Sequence, residues 1–128
     1  MFLSGILDEW IVDSATRLRE VLEIARAGEG NQLWLSAGPG EFPALVTCVN
    51  GDVATVAYVD DDGVMVSQAV SGEPVGGENK MVTFAFRGGA EAVDVCSDAV
   101  LQWRDAVECM VEFLRTNEKP TRVRWREL

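Results

Sequence analysis

Histidine is missing from all 128 residues. Its absence removes Ser-His-Asp and Cys-His nucleophilic catalysis, and with them every metal site built on an imidazole ligand. Cysteine is scarce: Cys48, Cys96 and Cys109 are an odd number, none stands in a C-x-x-C pair, and each is flanked by apolar residues. Buried free thiols in a reducing compartment are the expectation. Long apolar runs are missing too. Pro43 to Val49 and Val53 to Val59 are of strand length, far short of the roughly 20 residues that cross a bilayer. The opening MFLSGILDEW has no basic stretch and runs into acid, unlike a secretory signal. A cytoplasmic protein without membrane contact is expected. Basic residues are few as well, with 11 Lys and Arg against 21 Asp and Glu and a formal net charge of −10. Such a surface repels phosphate backbones and steers basic partners toward it, so direct nucleic-acid binding is not expected.

What is present suits one folded domain over residues 1–128. Hydrophobic residues make up 48% and charged residues 25%, which is globular composition, and the length suffices for a core without disulfides or metal. Ile6 to Val12 alternates loosely and reads as a first strand or an extended lead-in. Asp13 or Ser14 then caps a helix through Ala27, with Leu18, Val21, Leu22 and Ala25 at helical spacing and Gly28 in the place of a C′ glycine. Six β-like runs follow: Gln32 to Ala37, Pro43 to Val49, Val53 to Val59, Val64 to Gln68, Lys80 to Phe86 and Ala92 to Cys96. Asn50-Gly51 is the dipeptide of a type I′ hairpin, and Asp62-Gly63 marks a second tight turn. Ala44, Val46 and Cys48 alternate with Leu45, Thr47 and Val49, apolar on both faces, as in a central strand covered on one side by helices and partly covered on the other. A second helix carries Trp103, Ala106, Val107, Met110, Phe113 and Leu114 on one stripe, with Arg104, Asp105, Glu108 and Glu112 opposite; Pro120 lies beyond its end. The predicted class is α+β: an antiparallel meander sheet of about five to seven strands, two main helices packed on it, and a short C-terminal strand.

The motifs of ligand chemistry fail on inspection. Asp60-Asp61-Asp62-Gly63 has the look of a calcium loop. With Gly63 as its turn glycine, however, position 1 falls on Tyr58 and position 12 on Ala69, neither a ligand. Gly38-Pro39-Gly40-Glu41-Phe42-Pro43 begins like a dinucleotide fingerprint, but Pro43 replaces the third glycine and a strand follows. No G-K-[ST] is present. No catalytic residue, metal ligand or cofactor site is therefore predicted. The chemistry left is that of contact. Asp60, Asp61 and Asp62 at a hairpin tip form the leading candidate patch for a basic partner. Glu41 and the loop acids Glu73 and Glu78 join them, as does Trp34, which shares a strand face with the polar Gln32 and Ser36 and could anchor an interface.

The charge is unevenly placed. Residues 1–114 carry six Lys/Arg against nineteen Asp/Glu, a balance of −13, and residues 115–128 carry five against two, a balance of +3. The closing NEKPTRVRWREL nevertheless reads as a strand. Val123 and Trp125 point to the core, while Arg122, Arg124 and Arg126 line the solvent face, where they pair with carboxylates of this same chain, such as those of a neighbouring strand. The order of helix, glycine-rich gap, meander, amphipathic helix and a terminal Pro-x-x-Val-x-Trp resembles the first-numbered family of Imm-type immunity proteins. The likeness is densest in FLRTNEKPTRVRWREL, at Phe113, Pro120, Val123 and Trp125, and runs back through VATVAYVDDDG and NQLWLS over roughly residues 31–128. These proteins neutralise toxins of bacterial polymorphic toxin systems, including nucleic-acid deaminases. The resemblance therefore implies a non-enzymatic chain that binds a cognate toxin domain and occludes its active site. A small acidic secretion chaperone, binding a partner without inhibiting it, is the competing expectation. An enzyme working through Asp60 and Asp62 alone ranks behind both.

Overall fold

A computed structural model describes residues 1–27, 31–71, 80–86 and 91–128 of the chain. The chain runs β1 (Phe2–Ser4), β2 (Glu9–Ile11), α1 (Ala15–Arg26), β3 (Asn31–Ser36), β4 (Ala44–Asn50), β5 (Val53–Val59), β6 (Met65–Val70), β7 (Met81–Phe86) and β8 (Glu91–Cys96). A short 3-10 turn (Ser97–Ala99) then leads to β9 (Leu101–Gln102), α2 (Trp103–Thr116) and β10 (Arg124–Glu127). Eight strands form one sheet in the order β10-β6-β5-β4-β3-β1-β2. β9 takes the place beside β5 beyond the end of β6. All pairings are antiparallel, as the α+β meander predicts.

The helices form where their stripes predict. Ser14 caps α1, its hydroxyl accepting from the Arg17 N–H at 3.1 Å, and Leu18, Val21, Leu22 and Ala25 are buried. The helix ends at Arg26 with Ala27 as its cap, one residue earlier than expected, and the expected C′ residue Gly28 lies outside the described residues. α2 ends on Asn117 in the left-handed conformation, φ 54°, a place asparagine tolerates. Glu112, expected on the solvent face, is a latch. Its carboxylate accepts from the Thr121 N–H at 2.6 Å and the Thr121 hydroxyl at 3.1 Å, which folds the segment after α2 back along the helix.

The register assigns side chains to faces. Leu3, Leu33, Leu35, Leu45, Val49, Ala54, Val56 and Ala69 face both helices and form, with them, the main core. Each fully buried aliphatic side chain contributes roughly 1.5–3 kcal/mol by leaving water. Thr47 sits among them with its hydroxyl buried and without a hydrogen-bond partner. The opposite face carries Trp34, Ala44, Val46, Ala57 and Val59 and, toward the other end of the strands, Cys48, which packs with Phe84 and Val100.

Three local expectations change. Ile6 to Val12 is not one strand: the Gly5 N–H donates to the Asp8 carbonyl at 2.7 Å, closing a turn between β1 and β2 that leaves Leu7 exposed. Asn50 is not a turn residue. It pairs with Val53 as the last residue of β4, so the two-residue loop is Gly51-Asp52. Gly51 alone has positive φ, at 63°, the pattern of a type II′ turn. Lastly, β7 and β8 leave the meander and pair only with each other. Phe84 plugs this hairpin against Cys48, so that its apolar residues cover the sheet's second face.

At the C-terminus, Trp125 lies opposite Ala69 and donates from its indole nitrogen to the Pro120 carbonyl at 2.8 Å. Two of the three arginines find carboxylates of the same chain, off the strands, while Arg124 makes no ion pair among the described residues. Arg126 pairs with Asp98 of the 3-10 turn and Arg122 with Glu108 of α2 at 3.7 Å. Lys119 spans Trp125 and Tyr58 at 5.3 and 6.0 Å and donates to Ser67 at 2.7 Å. This ties the tail to β5 and β6.

Candidate functional site

One end of the sheet gathers most of the predicted contact residues. The loop after β3, the turn after β5 and the end of α2 all arrive there. Residues 60–63 form a turn closed by the Gly63 N–H on the Asp60 carbonyl at 2.9 Å, with Gly63 at φ 78°. Asp60 builds this turn: its Oδ1 accepts from the Asp62 and Val64 N–H groups, both at 3.0 Å. Asp61 and Asp62 are exposed at the tip. The three aspartates, alike in sequence, thus divide into one structural residue and two free charges.

The loop between β3 and β4 leans on this turn. A Cβ added at Gly63 would meet the Phe42 ring at 3.0 Å, so the ring packs closely against the turn glycine. Gly40 takes φ 70° and the Phe42–Pro43 peptide is cis. The Ser36 hydroxyl donates to the Gly38 carbonyl at 2.7 Å, and the Glu41 N–H donates to the same oxygen at 3.0 Å. A cleft of about 360 Å³ opens between this loop and the sheet, walled by Phe2, Trp34, Ser36, Glu41, Phe42 and Ala44. Trp34 is half-buried there, its indole N–H 3.5 Å from the Gln32 amide oxygen.

Trp34 and Glu41 therefore share one cleft, and Asp60, Asp61 and Asp62 stand beside it across Phe42. Glu73 and Glu78 lie outside the described residues. The charge at this end acts on Tyr58: burial pushes its phenol above the usual value, and the carboxylates of Asp61, Asp60 and Glu118 add to the shift. Sequence reasoning missed Phe42 and Phe2, which are the apolar part of the site. The signal for Phe42 was an aromatic in a turn of glycines, prolines and acid, where a loop has no core to fill; it remains 43% exposed.

Elsewhere several charges pair. Glu108 takes Arg19 and Arg122, and its carboxyl is held below the usual range by the Arg19 hydrogen bond. Glu127 is lowered likewise, by Lys119 and then by Ser67. Cys109 is fully buried, and desolvation pushes its thiol up to about 12; Cys48 is also raised by burial. Cys96, expected buried, is half-exposed near the end of the β7–β8 hairpin. Among the described residues no group of three or more His, Cys, Asp or Glu side chains could hold a metal ion. No helix there is long and apolar enough to cross a membrane. The arrangement offers an apolar cleft with carboxylates at its rim, the composition of a protein contact surface.

Residues 3–127 match the family described as Immunity protein Imm1. The chain belongs to the Imm1 family of immunity proteins. The match takes in the N-terminal strands as well as the span from residue 31 onward that carries the resemblance. The double-stranded DNA deaminase immunity protein of Burkholderia cenocepacia (strain H111) is 29% identical to this chain over 128 residues, covering 100% of both. In this Imm1 chain the helix, proline and tryptophan of the C-terminal pattern are packing elements. Phe113 is fully buried, Pro120 accepts from Trp125, and Trp125 stacks edge-on to Tyr58 at 6.5 Å. The C-terminal stretch in which the resemblance is densest is therefore made of packing residues.

Proposed function

We propose that this chain binds a cognate bacterial toxin, a nucleic-acid deaminase, in the cytoplasm, and neutralises it by covering its active site without chemistry of its own. The observation that carries the reading is the sheet's end, where the cleft walled by Phe2, Trp34 and Phe42 is rimmed by Glu41 and the Asp60–Asp62 turn. A toxin that acts on nucleic acid presents a positive cleft to its substrate. An acidic surface with exposed aromatics complements such a cleft, excludes the substrate and contributes apolar burial to the complex. The name of the full-length relative supports the choice of a deaminase.

Co-expression with the toxin domain encoded beside this chain's gene tests the proposal. Rescue of growth, a stoichiometric complex and loss of deaminase turnover at saturating immunity protein are the expected results. A complex in which the toxin keeps full activity would identify a chaperone instead, and no complex at all would refute the reading.

A further inference from the structure

β2 ends the eight-stranded sheet, and among the described residues no strand pairs with its outer side. The hydrogen bonds of its inner side fix which groups face outward. The Val12 N–H donates to the Met1 carbonyl at 2.8 Å and the Gly5 N–H to the Asp8 carbonyl at 2.7 Å. Hydrogen-bonded and non-hydrogen-bonded pairs alternate along an antiparallel ladder. Met1 with Val12, Leu3 with Trp10 and Gly5 with Asp8 are therefore the bonded pairs; Phe2 with Ile11 and Ser4 with Glu9 are not. The N–H and C=O groups of Glu9 and Ile11 consequently point out of the sheet's edge. They are four backbone groups spaced to receive a strand, in a segment only three residues long.

The side chains of the same two residues lie on the face away from the helices. Ile11 is 80% exposed and stands opposite Phe2, which walls the cleft. The charged side chains on β2 and at its two ends are all negative: Asp8, Glu9 and Asp13, each exposed. Short length and charge protect an edge from indiscriminate pairing, but here the charge has one sign. A second copy of this chain would bring acid against acid, a destabilising arrangement across strands. A strand carrying lysine or arginine would instead meet opposite charge.

We propose that β2 is a docking edge, on which an extended basic segment of the toxin adds a ninth strand to the sheet. The proposal rests on the toxin-binding reading above and specifies how part of that contact is made. Strand addition uses main-chain hydrogen bonds for affinity and alternate side chains for selection. Ile11 and Phe2 supply the apolar seat; Asp8, Glu9 and Asp13 select the charge. β2 lies four strand positions from β5, roughly 19 Å at about 4.8 Å per strand. One partner burying the ordinary ~800 Å² per side can therefore reach both this edge and the Asp60–Gly63 turn.

The test uses two substitutions and the toxin domain encoded beside the gene. Ile11→Pro removes an N–H that makes no bond in the free protein, at an edge where proline is tolerated; Ile11→Ala keeps the N–H and removes the side chain. With melting curves verifying the fold, calorimetric titration is expected to show Ile11→Pro raising Kd by tenfold or more, and further than Ile11→Ala does. Amide hydrogen exchange of the unaltered chain decides independently of any variant: Glu9 and Ile11 should exchange rapidly when free and slowly in the complex. Equal effects of the two substitutions, with exchange at both amides unchanged in a complex that still inhibits, overturn the docking edge and leave the immunity reading intact. Failure of the unaltered chain to bind the toxin overturns both.

Discussion

Asp60, Asp61 and Asp62 follow one another in sequence, yet their removal should have unlike consequences. Asp60 Oδ1 accepts two backbone N–H groups at 3.0 Å. Asp60→Ala leaves the Asp62 and Val64 donors to water and loosens the turn on which the Phe42 ring rests. At about 1 kcal/mol for each net hydrogen bond, on a half-exposed turn where water replaces part of the loss, the cost is roughly 1–2 kcal/mol. For a chain of this size that lowers Tm by roughly 3–8 °C. Asp60→Asn keeps an oxygen in the same place and should melt within about 1 °C of the parent. Asp61→Asn with Asp62→Asn should also leave Tm alone, as expected of exposed charges away from any partner. Its effect belongs to association: a unit charge pair about 10 Å apart in water is worth ~0.4 kcal/mol before screening. Two charges facing several cations should then change the association rate by roughly threefold to tenfold at low salt, and much less above about 0.5 M. Thermal melts and stopped-flow mixing with the toxin separate these effects. Unchanged melting of Asp60→Ala, or an unchanged low-salt association rate for the Asp61/Asp62 double variant, would refute the division of roles.

Other consequences are equally direct. Phe84→Ala should cost about 3–5 kcal/mol and release the β7–β8 hairpin, since Phe84 is fully buried against Cys48; denaturant melts and amide exchange across Met81–Phe86 read both effects. Thr47→Val should stabilise the chain by about 1 kcal/mol, because the buried hydroxyl has no partner to lose; an unchanged or lower denaturation midpoint would contradict this. Thiol reagents should label Cys96 in the folded protein and reach Cys109 only on unfolding; stability should fall as pH rises from about 9 toward 12, where the unfolded thiol ionises and the buried one does not. Glu108 acts in the opposite direction: its folded pKa is lowered, so its contribution is complete above the unfolded carboxylate range and is lost as pH falls through the folded value. Glu108→Gln should flatten the acid limb of the stability curve by less than about 1 kcal/mol, since the pair is largely solvated.

The helices were legible because their apolar residues recur at helical spacing, and Ser14 and Asn117 are residues that helix ends favour. The central strands were legible because Val53 to Val59 and its neighbours have no competing pattern. The lost details depend on contacts remote in sequence. Nothing in residues 80–96 says that Phe84 turns toward Cys48 instead of extending the main sheet, and nothing in Met1 to Ser4 announces a strand until β3 is beside it. The candidate site was half legible. Charge and turn chemistry singled out the aspartates, Glu41 and Trp34, but the apolar partners Phe2 and Ile11 acquire meaning only when register puts them on one face. The expectation that the arginines pair with acids of the same chain held for Arg122 and Arg126 but not for Arg124, and the particular carboxylates, Glu108 and Asp98, came from elements that only the fold brings near.

Both helices lie on one face of the sheet, and the cleft opens on the other. A lineage that must keep pace with a changing adversary needs surface positions that can vary without a refolding cost. Here the main core, which includes Leu18 and Phe113, lies across the thickness of the sheet from the proposed contact face. On the proposed contact face, Glu41, Phe42, Asp61 and Ile11 are exposed positions at which substitution leaves that core untouched.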